Sequence, residues 1–145
     1  MTQVSTVRLH VLRAFYLLNF VGLGFMAWPT VISPSKPFGL IDGVAFSFWA
    51  AFGALMGLGV LHPLKLLPLA MLQLLYKLVW LAAVALPIYQ AGNWDARATS
   101  FAGNFIVPVI VDLLVIPWGY VLAEYFRRPA RSDVPVVLQE KLASG

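Results

Sequence analysis

The sequence predicts an all-α integral membrane protein, a four-helix bundle running up-down-up-down. Three observations lead there. Of 145 residues, 61% are hydrophobic and 11% are charged, whereas a water-soluble domain carries about a quarter charged residues. Mean hydropathy is +0.84. Four apolar runs, Leu9–Trp28, Val44–Leu61, Leu64–Pro87 and Phe105–Phe126, each reach 18 residues or more, and about 20 residues cross a hydrocarbon core as a helix. Lipid offers backbone groups no hydrogen bonds, so such spans are helices. The alternation of a β-barrel strand is absent.

The first span follows Arg8 and Arg13. Its length, and the lack of a small-x-small site in the following FMAWPTVISPS, predict an uncleaved helix. It is expected to end at Trp28-Pro29, where the outer loop PTVISPSKPFGLIDG begins. The second span carries Gly53-x-x-x-Gly57, with Ala50 and Ala54 one turn back. That spacing lets helices approach closely, although glycine is common in membrane helices anyway. His62-Pro63 marks a tight turn into the third span. Proline at 63 suits a first helical turn, and Pro68 is a candidate kink. The segment Gln90–Gly103 reads as a second outer loop, and the fourth span should bend at Pro108 and Pro117. Residues 1–126 thus form the transmembrane domain. Residues 127–145 form a polar tail that is expected to be mobile, although VPVVLQEKL has the composition of a short surface helix.

Four spans put both termini on one side. Arg8, Arg13, Lys65, Arg127, Arg128, Arg131 and Lys141 lie there, against Lys36 and Arg97 opposite. Basic residues favour the cytoplasmic side, so both termini are expected in the cytoplasm. This explains the formal charge of +4 without a nucleic-acid partner. The absence of cysteine removes disulfides, thiolate catalysis and cysteine metal sites.

Lys77 lies inside the third span, where an ionisable side chain is costly and points to a partner. Helical rise places Asn19, Lys77 and Asp112 about 14, 16 and 12 Å from the outer ends of their spans. All three fall near the midplane of a core about 30 Å thick. Lys77 is therefore expected to pair with Asp112 across the third and fourth spans. Ala70, Gln73, Lys77, Trp80 and Val84 share one helical face, with Tyr76 beside it, and Asn19 is placed to join them. This buried polar network has two readings, a small pocket for a ligand, proton or headgroup, or polar glue that fixes helix packing. Leu72, Leu75 and Val79 are assigned to lipid. Arg13 and Glu124 are expected to form an interfacial pair.

His10 and His62 are the only histidines, too few for a haem or metal centre by themselves. Trp28, Trp94, Tyr89 and Tyr125 suit interfacial anchoring, and Trp49, Trp80 and Trp118 lie deeper. No Ser–His–acid set, phosphate loop or HExxH motif occurs. No catalytic residue, metal or cofactor is assigned, and an enzyme has the weakest warrant.

The stretch HPLKLLPLAMLQLLYKLVWLAAVALPIYQAGNWD, the later IPWGYVLAEYFRRP and the WP ending the first span resemble a family of short bacterial inner-membrane proteins. Their core is PLKxLPLxxxxxxxKxxWLxxxALP. Size and arrangement resemble the DoxX-like group more loosely. The resemblance implies a bacterial inner (cytoplasmic) membrane protein of undefined activity, with Lys65, Lys77 and Trp80 on family positions. Gln73 stands where the family tends to have glutamate, and Tyr76 where it tends to have tryptophan.

Two functions remain open. One is an accessory or binding subunit, in a homo-oligomer or a larger membrane complex, suggested by size and by the glycine-rich second span. The other is a carrier or sensor of a small lipophilic or anionic ligand, of quinone or lipid type, held by Lys77.

Overall fold

The structure, a computed structural model, describes residues 4–126. The expected tail, with Arg127, Arg128, Arg131, Lys141 and the VPVVLQEKL segment, lies outside the described residues. Within them the chain is all-helical. Four helices are long and apolar enough to cross a membrane: α1 Thr6–Ile32, α2 Leu40–Leu61, α3 Leu67–Gln90 and α4 Ala96–Val115. A short helical segment, α5, follows over residues 118–126.

α1 begins at Ser5, whose hydroxyl accepts the Arg8 N–H at 3.4 Å. It runs through Pro29 to Ile32, past the expected end at Trp28. A proline inside a helix removes one backbone bond, and here the ladder resumes at once, with the Ser33 N–H on the Pro29 carbonyl. α2 starts at Leu40 rather than Val44, with Asp42 in its first turn, where a carboxylate complements the helix dipole.

α2 packs on α1 through its glycines. A Cβ added at Gly53 would lie 2.8 Å from the Leu23 Cβ, and one at Gly59 would overlap the Tyr16 ring. Gly57 faces Phe20 in the same seam. The small-residue motif therefore serves contact within the chain. It no longer supports the view that the α2 glycines form a face for an outside partner.

α3 begins at Leu67, so Pro68 falls in its first turn, where a missing N–H costs nothing, and does not kink the helix. Pro63 lies in the preceding turn, and its carbonyl accepts the buried Tyr16 hydroxyl at 3.1 Å. This bond ties α1 to the α2–α3 connection. Farther along, Leu81–Ala85 forms a wide helical turn, in which the Leu86 N–H reaches back five residues to the Leu81 carbonyl. Pro87 follows directly; it cannot donate, and its ring crowds the preceding turn. Gly92, at φ 70°, closes the helix in the left-handed conformation that glycine adopts freely.

α4 starts nine residues before the expected Phe105, because Asp95 caps it by accepting the Ala98 N–H at 2.6 Å. Much of the expected second loop is thus helix. Pro108 is accommodated inside α4, but Pro117 ends it, so the fourth span is not one bent helix to Phe126. Pro117 has no N–H for the Leu113 carbonyl. The Trp118 indole N–H supplies one instead, at 2.8 Å.

α1 packs along α2, and α3 packs along α4. The two hairpins meet in a core containing Leu12, Tyr16, Met56, Leu67, Ile116 and Val121, all fully buried. Large apolar side chains cover the outside, among them Phe25, Leu40, Leu75 and Leu114. That is the inverse of a water-soluble surface and suits lipid contact.

Candidate functional site

The site lies between α3 and α4. α3 turns Ala70, Gln73 and Lys77 inward, all buried, while Leu72, Leu75 and Val79 are exposed. Asp112 comes from the last turn of α4, which ends at Val115. The Lys77 ammonium donates to Asp112 Oδ2 at 3.0 Å. The Gln73 Nε2 donates to Asp112 Oδ1 at 3.2 Å. Each carboxylate oxygen thus has a donor, and the two charges cancel where a bare charge would be very costly. Lys77 and Asp112 form the only ion pair among the described residues.

Gln73 is only partly satisfied. Its Oε1 is buried and has no hydrogen-bond partner in the protein. Turning the amide over would place that oxygen against the Asp112 carboxylate, so the aspartate fixes its orientation. The arrangement leaves one buried acceptor able to take an N–H or O–H donor.

Aromatic rings sit beside this polar cluster. The Tyr76 ring lies 6.0 Å from the Lys77 ammonium, at the outer limit of a cation–π contact. It meets Phe48, Phe52 and Phe105 edge-on at 6.1–6.4 Å. Trp80 stacks on Phe105 at 4.4 Å. Sequence reasoning placed Tyr76 and Trp80 here but missed the phenylalanines, although Phe48/Phe52, Tyr76/Trp80 and Phe101/Phe105 each stand four residues apart and so on one face of a helix.

Several expected members take other places. Asn19 does not join the network; its Nδ2 donates to the Phe15 carbonyl of its own helix at 2.9 Å. A short polar side chain can always satisfy itself in this way. Tyr76 approaches Lys77 with its ring, and Trp80 belongs to the aromatic stack. Val84 is exposed and Ala85 is buried instead, since the wide turn inserts part of a turn and rotates the face. Arg13 and Glu124 are both exposed and form no ion pair. Pro117 ends α4 before Glu124, so the helix that should have carried it alongside Arg13 does not continue. His10 and His62 are exposed, and the His10 ring Nδ1 pairs with the Thr6 carbonyl at 2.8 Å.

Chemically this cluster can neutralise its own charges, hold two helices in register and accept one hydrogen bond. Comparison with family models, with curated proteins and with solved structures finds no match.

Proposed function

We propose that this chain is a small accessory or binding subunit of a bacterial inner membrane, with both termini cytoplasmic. One observation carries the reading: Lys77, the residue best suited to hold an anionic ligand, is neutralised inside the chain by Asp112 at 3.0 Å. A lysine so engaged fixes α3 against α4, and the exposed surface is left for partners. The native mass after gentle extraction tests this. Additional protein subunits or a fixed homo-oligomer are expected; a partner-free monomer would overturn it.

A second reading has its own support in the unpartnered Gln73 Oε1. A small ligand bearing one N–H or O–H donor would complete the cluster beside the aromatic wall, as a carrier or sensor requires. A co-purifying small molecule lost in both Gln73→Leu and Lys77→Ala would favour it. Unchanged ligand content in those variants would remove it.

A further inference from the structure

An apolar groove runs along the outside of the bundle, between the first half of α3 and α5. It encloses about 480 Å³ and extends on α3 from Pro68 through Met71 and Leu75 to Leu78, with Trp118 and Phe126 opposite. We propose that this groove holds one acyl chain of an anionic phospholipid, with the headgroup at the Lys65 end.

Three observations choose this occupant. The first is length. Pro68 to Leu78 is ten residues, about 15 Å of helix, half of a hydrocarbon core about 30 Å thick. That is the depth of one leaflet. A partner transmembrane helix would need a seam along the whole span. The second is chemistry. The Trp118 N–H is already given to the Leu113 carbonyl, which leaves the Tyr125 hydroxyl as the one side-chain polar group lining the groove. A quinone or other polar ring would find too few donors, whereas an acyl chain needs none. The third is charge. Lys65 is exposed in the turn three residues before Pro68. Each basic residue near the membrane surface raises affinity for anionic lipid about five-fold.

The groove also has a structural cause. Had α4 continued past Val115, the chain would not turn at Pro117 to set Trp118 and Phe126 opposite α3. The inference requires membrane insertion only and stands apart from the accessory reading.

The test is lipid retention by the full chain, measured by native mass spectrometry after exchange into mixed micelles. The micelles contain equal phosphatidylglycerol and phosphatidylcholine with matched acyl chains. Wild type should retain phosphatidylglycerol several-fold in preference. Lys65→Gln, at an exposed turn position, should lower that preference about five-fold. Leu75→Trp, which fills the groove, should lose the retained lipid while remaining helical and monodisperse. Equal retention of the two lipids by wild type would overturn the proposal. So would undiminished preference in Lys65→Gln. Disulfide capture of another polypeptide by Leu75→Cys in native membranes would likewise overturn it, since the groove would then be covered by protein. The natural chain has no cysteine, so that cross-link has a single origin.

Discussion

At the scale of residues, Asp112 organises the site. It is fully buried and accepts from both Gln73 and Lys77. Asp112→Asn should therefore lower thermal stability in detergent far more than Leu75→Ala, whose side chain is exposed. Equal melting temperatures for the two variants would remove the aspartate from this role. Gln73→Leu takes away one charge-assisted hydrogen bond but also the unpartnered Oε1. It should cost less than Asp112→Asn, about 1–2 kcal/mol, and a thermal-shift comparison checks the order. The Lys77–Asp112 pairing was legible from depth alone, because helical rise converts sequence position into height in a span. Asn19 was misplaced because height says nothing about whether a side chain bonds its own helix. The pairing of Arg13 with Glu124 assumed an unbroken fourth span.

At the scale of elements, the four spans were legible because lipid leaves the backbone few choices. Their ends were less so. Proline predicts a terminator at 29 and a bend at 117, yet the chain passes through the first and breaks at the second. Composition does not distinguish these cases; the surrounding partners do. The Trp118 indole covers the carbonyl orphaned by Pro117, and this stabilises the break. Trp118→Phe should leave the Leu113 carbonyl short of a donor, destabilise the protein by about 1–3 kcal/mol and loosen α5. Hydrogen exchange over residues 113–121 would show it; unchanged protection would contradict it. Asp95 falls in the segment expected as the second outer loop, whereas the structure makes it the N-cap of α4. On α2, Gly59→Ala should be the most damaging of the glycine substitutions, because Tyr16 fills the space a methyl needs. Gly22→Ala, with nothing within 4 Å, should be tolerated. Thermal stability of the pair in one detergent measures the difference.

At the scale of the whole molecule, two hairpins are joined by a core at the end where Tyr16 reaches Pro63, while the polar cluster fastens α3 to α4 within the second hairpin. The exposed surface is apolar along every span, so membrane insertion follows from the fold as well as from composition. The proposed orientation puts Lys65 in the cytoplasm and Gly92 outside. Single cysteines at these positions, treated with a membrane-impermeant maleimide on spheroplasts, should label at 92 and stay protected at 65. The reverse pattern would invert the topology.

The central claim is that a buried Lys77–Asp112 pair locks α3 to α4. A double-mutant cycle in detergent tests it most directly. Lys77→Met and Asp112→Leu should each cost about 3–5 kcal/mol, since each leaves the other charge buried and unpaired. The double variant, with both charges gone, should recover most of that loss. Single variants as stable as wild type, or a double variant whose cost is the sum of the two, would contradict the account.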